Sequence, residues 1–195
     1  MKSVLIHCCC AHCSAYTISY WRGQGYEVSA LWYNPNIHPY TEHQHRLEAM
    51  RSLAKQMAFP LIITEGYDMI DYFRQVVGHE AERCRYCFQL RLKKTADTAT
   101  LMGFDAFTTS LLISPHQKHD QLREAGDRLA QEKAIAFLYA DLRKRYSDSR
   151  RITKPLNLYR QQYCGCLYSE WERYTGVKIE QAAAKIKRES QGETP

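Results

Sequence analysis

The stretch Ile6-His7-Cys8-Cys9-Cys10-Ala11-His12-Cys13 sets the expectation for both the fold and the chemistry of this chain. The apolar run Ser3-Val4-Leu5-Ile6 before it predicts a short buried strand, and Ile18 and Trp21 predict a helix that begins at Ser14. The cysteines then lie in a strand-to-helix turn, which in an open α/β sheet is at the carboxyl edge, where ligands bind. Neighbouring side chains on an extended backbone point to opposite faces, so an apolar core accounts for half of these cysteines at most.

Strands and helices alternate along the rest of the chain. Apolar runs predict strands over 28–33, 59–64, 105–110 and 135–140, with a loop over 111–116. Further helices are predicted from a capping box at Thr41-Glu42-His43-Gln44, over 68–77, from 82 through 101, and over 120–132. This order predicts a parallel, doubly wound α/β sheet in one domain over residues 1–175, followed by a polar C-terminal helix or tail over 176–195.

The composition favours a cytoplasmic protein with a sizeable core. Of 195 residues, 45% are hydrophobic. The sequence has no apolar run of about 18 residues, so we expect no membrane contact, and the N-terminal residues do not have the pattern of a signal peptide. In a reducing compartment, eight cysteines are more typical of metal ligands or catalytic thiols than of disulfides.

The cysteines fall into three clusters, which are Cys8/Cys9/Cys10/Cys13, Cys84/Cys87 and Cys164/Cys166. Two of the clusters contain a C-x-x-C pair, the spacing that zinc and iron–sulfur sites share. One tetrahedral zinc would leave thiolates unused, so a cluster with an additional metal, or redox-active thiols, fits the number better. The first turn also lacks the glycine-rich phosphate loop of nucleotide-binding α/β proteins, which argues against ATP or a dinucleotide there.

A basic segment follows the last predicted strand. Residues 142–160 contain seven basic residues and one acid, Asp148: Arg143, Lys144, Arg145, Arg150, Arg151, Lys154 and Arg160. Tyr146 and Tyr159 are interleaved with them, a pattern that suits phosphate and base contacts, although charge runs are usually solvated surface. Asp141 follows a predicted strand at the same rim as the cysteine turn. It is either a metal ligand or acid, or the ion-pair partner of Arg143 or Lys144.

Five segments together resemble the QueH family of epoxyqueuosine reductases, and the resemblance runs from about residue 3 to residue 169. They are His7-Cys8-Cys9-Cys10-Ala11-His12-Cys13, Tyr33-Asn34-Pro35-Asn36-Ile37-His38-Pro39, Glu82-Arg83-Cys84-Arg85-Tyr86-Cys87-Phe88, Thr109-Ser110-Leu111-Leu112-Ile113-Ser114-Pro115-His116 and Leu158-Tyr159-Arg160-Gln161-Gln162-Tyr163-Cys164-Gly165-Cys166. The resemblance implies an adenine-nucleotide-hydrolase-like (HUP-like) fold that has lost ATP chemistry. It also implies a [4Fe–4S] cluster with a neighbouring iron, held by cysteines and an aspartate, and reduction of the epoxide of epoxyqueuosine in tRNA to the alkene of queuosine.

Seven cysteines match the family pattern and are the expected metal ligands: Cys9, Cys10, Cys13, Cys84, Cys87, Cys164 and Cys166. Cys8 falls where the pattern varies and is the least expected ligand. Asp141 is our inference for the aspartate, and His12 stands where the family usually has proline. The candidate catalytic residues are Cys10, Cys13, His12 and Asp141, while His7, His12 and Tyr163 are the candidate proton donors.

The expected partners are tRNA, with its anticodon arm held by the basic segment, and an electron donor protein or other reductant. Two alternatives differ in chemistry. An iron–sulfur tRNA-thiolating enzyme needs ATP, and the missing phosphate loop speaks against it. A non-enzymatic zinc protein that binds RNA would be colourless, whereas an iron–sulfur protein is brown.

Overall fold

The computed structural model describes residues 1–190, and within them five parallel strands form one sheet. The strands are β1 (Ser3–His7), β2 (Glu27–Trp32), β3 (Leu61–Ile63), β4 (Ala106–Thr109) and β5 (Ala136–Phe137). Their order is β3-β2-β1-β4-β5, with every neighbouring pair parallel. The chain reverses direction across the sheet at β1, so the turns after β1, β2 and β4 meet at one edge, which is where doubly wound proteins bind ligands.

Helices and short 3₁₀ turns connect the strands. The helices of the described chain are α1 (Ala11–Gly23), α2 (Tyr40–Gln56), α3 (Met69–Val76), α4 (Arg83–Leu101), α5 (His119–Lys133), α6 (Tyr146–Thr153), α7 (Leu167–Thr175) and α8 (Ile179–Ser190). The 3₁₀ turns are Glu80–Glu82, Ser110–Ile113, Arg143–Arg145 and Lys154–Leu156. None of the helices in this part of the chain is long and apolar enough to cross a membrane. Residues 191–195 of the predicted tail lie outside the described residues, and the domain boundary at 175 stays a prediction.

Helices cover both faces of the sheet, as the predicted fold class requires. Val4 of β1 packs in one apolar cluster with Ile18 of α1 and Met50 of α2. Its neighbour Leu5 packs in a separate cluster with Leu92 of α4. All of these side chains are fully buried. A strand buried on both faces is apolar throughout, and this explains why β1 reads as a continuous hydrophobic run. The prediction of a parallel, doubly wound sheet is confirmed.

The structure corrects two helix starts. The capping box predicted at 41–44 is wrong, because α2 begins at Tyr40 after Pro39 and the described residues supply no side-chain cap. Glu42 turns inward instead and pairs with Arg46. Helix α1 begins at Ala11 rather than at Ser14, because the Cys10 side chain accepts the backbone N–H of Cys13 and caps the helix there.

Two further predicted spans differ. The first part of the loop predicted over 111–116 is the buried 3₁₀ turn Ser110–Ile113, capped by the Thr109 hydroxyl. The strand predicted over 135–140 is limited to Ala136–Phe137, so the sheet ends four residues before Asp141. Gly126 lets α5 approach this short strand, since a Cβ there would lie 2.2 Å from the Phe137 ring.

Candidate metal centre

Three cysteine sulfurs converge where β1 runs into α1. The Sγ atoms of Cys9, Cys10 and Cys13 all lie within 4.8 Å of one another, and all three residues are buried. Cys9 and Cys10 contact through their sulfurs at 3.9 Å. Because α1 begins at Ala11, Cys13 sits in its first turn and reaches back to the other two. Sulfur contacts with Cys10 and Cys13 hold the pKa of Cys9 well below its usual range.

Cys8 lies on the opposite side of the sheet from these three. It is fully buried in the apolar cluster of α1 and α2, and its thiol donates to the Ile6 carbonyl at 3.5 Å. Burial raises the pKa of this thiol to about 12. Cys8 therefore behaves as an apolar core residue, while the other three cysteines of the stretch face the other way.

The second group combines cysteines from two distant segments. Cys84 and Cys87 lie in the first turn of α4, and Cys164 and Cys166 immediately precede α7. Burial raises the pKa of Cys84 to about 11 and also raises the pKa of Cys87 and of Cys164. Cys87 and Cys166 share a small apolar cluster with Tyr72. All eight cysteines lie within the described residues and are free.

Both groups are placed at the N-termini of helices. Cys10 and Cys166 are the N-cap residues of α1 and α7, and each sulfur accepts a backbone N–H of its own helix at 3.4 Å. Cys84 is the second residue of α4. The positive end of a helix dipole favours thiolate over thiol, and it therefore favours metal binding by these cysteines.

A cavity of about 730 Å³ joins the two groups, because Cys9 and Cys13 of the first and Cys164 of the second line it. The polar side chains of its wall are His12, Ser114, His116, Gln117, Tyr146, Arg150, Arg160, Gln161, Gln162, Tyr163, Ser169, Glu172, Arg173 and Lys178. Gln161 donates to the Cys10 sulfur at 2.8 Å, and Gln117 donates to the Cys164 sulfur at 3.4 Å. Amide donors aimed at sulfur are a common feature of iron–sulfur sites, where they adjust the reduction potential.

Buried polar contacts fix the loop that carries Cys164. Arg46 pairs with Glu42 at 2.7 Å and donates to the carbonyls of Tyr163 and Cys164 at 3.0 and 2.8 Å. The His38 N–H donates to the Gly165 carbonyl at 2.8 Å. Gly165 has φ 153°, and a Cβ there would lie 3.1 Å from Ile37 Cγ1. Only glycine fits this close approach without strain.

The three candidate proton donors have different surroundings. His7 is fully buried, both ring nitrogens have partners, and burial lowers its pKa to about 4. The Tyr163 hydroxyl donates to the His38 carbonyl. His12 lines the cavity, its Nδ1 contacts the Thr153 hydroxyl at 2.5 Å, and its Nε2 has no partner among the described residues. Of the three, His12 and Tyr163 line the cavity, and the unpartnered Nε2 of His12 is itself buried.

The structure places Asp141 in an exposed ion pair. Arg143 donates from Nε and Nη2 to its two carboxylate oxygens at 2.8 and 2.5 Å, and this contact lowers the pKa of Asp141. Asp141 is not among the described residues that line the cavity. This is the ion-pair alternative that the sequence left open, and ligation of a metal by Asp141 stays a prediction.

The basic segment divides into two parts. Arg150 and Arg160 line the cavity beside the cysteines. Arg145 and Arg151 both pair with Asp148, so their charge is partly offset. Of the remaining cations, Lys144 and Lys154 are exposed and Arg143 is held by Asp141, as described above. The segment thus presents two arginines to the cavity and the rest to the outer surface.

Four polar residues that contact the cysteines were missed from the sequence, namely Arg46, Arg91, Gln117 and Gln161. A signal for the two arginines was available. Each lies on the buried stripe of a predicted helix, Arg91 four residues after Cys87 and Arg46 three residues before Ala49. A charged residue among apolar positions of a helix indicates a buried partner. Gln161 follows Arg160 in an irregular stretch and gave no such signal.

The donor set fits an iron–sulfur centre. Such clusters are held by cysteine thiolates, four for a [4Fe–4S] cluster. Seven free thiols lie in two groups, and Cys9, Cys13 and Cys164 among them line one cavity. Seven thiols exceed the need of one cluster and leave ligands for an additional iron. Burial keeps most of these thiols protonated in the metal-free chain, so metal binding has to release protons.

The fold and the site define a class of protein: a parallel α/β domain whose ligand-binding edge carries buried cysteines able to hold a metal, where nucleotide-binding relatives of this fold carry a phosphate loop. The model of the family Epoxyqueuosine reductase QueH matches residues 4–172. The chain belongs to the QueH family, and the resemblance read from its motifs is confirmed.

Similar proteins carry the same family name, and a solved structure shares the fold. An epoxyqueuosine reductase QueH from Dehalococcoides mccartyi is 57% identical over 171 residues, covering 88% of this chain and 94% of the relative. The Thermotoga maritima protein of the same name is 31% identical and covers 89% of this chain and 93% of its own length. The structure of a predicted subunit of tRNA methyltransferase from Methanocaldococcus jannaschii matches with a TM-score of 0.53 and 14% identity, covering 80% and 76% of the two chains. That likeness shows the fold alone.

Proposed function

We propose that this protein is an iron–sulfur epoxyqueuosine reductase, which converts the epoxide of epoxyqueuosine in tRNA to the alkene of queuosine. The observation that carries the proposal is that Cys9, Cys13 and Cys164, which come from two distant segments, line one cavity together with three arginines. The reaction consumes two electrons and two protons and releases the epoxide oxygen as water. A reductant, either a small molecule or an electron donor protein, supplies the electrons.

The seven cysteines of the two groups are proposed to hold a [4Fe–4S] cluster and an additional iron. When bound, such a centre supplies single electrons and a Lewis acid for the epoxide oxygen. The chain itself excludes water from the sulfurs by burying Cys9, Cys10 and Cys13. It orients two of the sulfurs through the amide groups of Gln161 and Gln117.

The substrate is proposed to enter the cavity with its modified base splayed out of the anticodon loop. Arg150 and Arg160 flank the opening beside His12, where their guanidinium groups can pair with phosphates of the loop. Tyr146 offers a ring on which a base can stack. The other cations of the basic segment are proposed to contact the tRNA backbone farther out, and the cytoplasmic location stays a prediction.

The function is tested with anaerobically prepared protein and tRNA that carries epoxyqueuosine. We expect iron and sulfide in the protein, and conversion to queuosine with a reductant and without ATP. The conversion is measured as the loss of one oxygen from the mass of the nucleoside. Cys9→Ser should abolish conversion. Strict dependence on ATP would favour tRNA thiolation, and active protein with stoichiometric zinc and no sulfide would overturn the iron–sulfur proposal.

Asp141 remains the predicted oxygen ligand of the additional iron, and for that role its carboxylate has to leave Arg143. A pair of variants tests this. Asp141→Asn should lose about one iron per chain together with turnover, whereas Arg143→Met frees the carboxylate and should retain the iron. An exposed ion pair is worth only about 0–1 kcal/mol, so neither variant should unfold. Full iron content in both variants would remove Asp141 from the site and leave it as the partner of Arg143.

A further inference from the structure

Arg91 is a buried cation with an unused hydrogen-bond donor. It is 1% exposed, and its Nε donates to the Cys87 carbonyl one turn earlier on α4 at 3.2 Å. Its guanidinium lies 5.9 Å from the centroid of the Phe88 ring. The Nη2 atom is buried and has no partner among the described residues. A buried charge is costly unless it is paired, so this arrangement requires a partner that these contacts do not supply.

The other two buried arginines have carboxylate partners. Arg46 pairs with Glu42 and Arg83 pairs with Glu172, each at 2.7 Å. No carboxylate within 1–190 pairs with Arg91 in this way, although its burial is as complete as that of Arg46. The fold therefore supplies a carboxylate to each of the other buried arginines, whereas the anionic partner of Arg91 has to be another kind of group.

Arg91 lies beside both cysteine groups, because it donates to the Cys87 carbonyl and its guanidinium lies over Phe88, whose ring packs in one apolar cluster with Cys9, Cys10 and Cys13. Burial acts to lower the pKa of Arg91, and Cys87, Cys164 and Cys9 more than reverse that effect, so the pKa is raised. Cys87 and Cys164 belong to the second cysteine group, and Cys9 belongs to the first. The guanidinium is thus placed where it acts on both groups, which share the cavity through Cys9, Cys13 and Cys164.

We propose that Arg91 is the fixed counter-charge of the metal centre, placed between the two cysteine groups, and that its free Nη2–H donates to a sulfur of that centre. The inference rests on the proposed iron–sulfur function. A cation beside a redox centre stabilises its more negative, reduced form and therefore raises the reduction potential. In the metal-free chain, by contrast, the same cation is incompletely compensated, so removing its charge should not destabilise that form.

The test compares Arg91→Met and Arg91→Lys with the control Lys93→Met. Lys93 lies on the same helix but is exposed and pairs with Asp97 at 2.6 Å. After iron and sulfide have been measured, each protein is titrated anaerobically with mediators while its visible absorption is followed. At the wild-type midpoint, the ratio of oxidised to reduced centre should rise at least tenfold in Arg91→Met, which corresponds to a midpoint about 59 mV lower for one electron. Arg91→Lys keeps the charge and should shift much less, and Lys93→Met should not shift.

Each result decides something. Wild-type protein without iron and sulfide would overturn the proposed function itself. A loaded wild type with an unchanged potential in Arg91→Met would overturn the Arg91 inference alone. Thermal unfolding of the metal-free proteins provides a second measurement, in which Arg91→Met should be no less stable than wild type. If Arg91→Met does not fold, Arg91→Gln replaces it, since the glutamine side chain keeps an N–H for the Cys87 carbonyl. If neither variant folds without metal, the counter-charge explanation is wrong and Arg91 is a packing residue.

Discussion

Replacing Arg46 with methionine should destabilise the chain by about 3–5 kcal/mol, the usual cost of removing one partner of a buried ion pair. Arg46 is 1% exposed, and its removal leaves the buried Glu42 carboxylate with a hydrogen bond from Tyr159 but without its cation. It also leaves the carbonyls of Tyr163 and Cys164 without their donor. The loop that carries Cys164 then loses its attachment to α2, so iron retention should fall as well.

Arg22 provides a matched control for this measurement. It also donates to two successive carbonyls, those of Met57 and Ala58, each at 2.7 Å, but it is exposed. Water replaces those bonds, so Arg22→Met should cost about 1 kcal/mol or less. The comparison uses urea unfolding of the metal-free proteins in reductant, with differences taken from midpoints at a common slope. Equal losses in the two variants would refute the buried-pair argument, as would a Glu42→Gln, Arg46→Met double variant that is less stable than Arg46→Met alone.

Three further predictions follow from the site. Gly165→Ala should cost about 1–3 kcal/mol in urea unfolding, because its positive φ and the contact with the neighbouring loop both oppose a Cβ; an unchanged midpoint would contradict the close approach. Cys8→Ser should lower the free energy of unfolding by about 1–3 kcal/mol and keep the iron, whereas Cys9→Ser should lose iron. Loss of iron in both variants would show that Cys8 is also a metal ligand. Arg150→Ala should weaken tRNA binding and reduce the slope of log affinity against log salt by about 0.7–0.9. Arg151→Ala should have a smaller effect, because Asp148 holds that side chain. Equal effects would show that the whole basic segment contacts the phosphate backbone of the tRNA.

The fold was predictable because its signals are local. A parallel strand buried on both faces is mostly apolar, and the runs Val4-Leu5-Ile6 of β1, Ala30-Leu31-Trp32 of β2 and Ala106-Phe107 of β4 show this. Strand β5 was overestimated because its apolar sequence continues past the point where backbone pairing ends at Phe137. Beyond that point isolated hydrogen bonds still join the chain to β4, such as the one from the Leu138 N–H to the Phe107 carbonyl. Along this stretch only Ile135 is buried, so apolar character overestimates both strand pairing and burial.

Charge partners were less predictable, since they depend on contacts between distant parts of the chain. The basic segment looked uniform in sequence, yet Asp148 takes up two of its arginines and Arg150 reaches the cavity on the same short helix. Positions three residues apart on α6 share a face, and this local geometry lets one acid pair with both Arg145 and Arg151. Arg150 lines the cavity because of how α6 packs against α1, where the Ser149 hydroxyl donates to the His12 carbonyl.

The cysteine spacing identifies ligand types, but the site depends on where α1 begins. Alternation along an extended chain sends Cys8 and Cys9 to opposite faces of the sheet, as the sequence predicts. Were α1 to begin at Ser14, the same alternation would continue and Cys10 would follow Cys8 away from Cys9. The Cys10 sulfur stops this by accepting the Cys13 N–H, which starts the helix three residues earlier and brings Cys9, Cys10 and Cys13 together. One side chain is thus both helix cap and candidate ligand, so substitution of Cys10 should disturb the local fold as well as the metal, whereas substitution of Cys9 should disturb the metal alone.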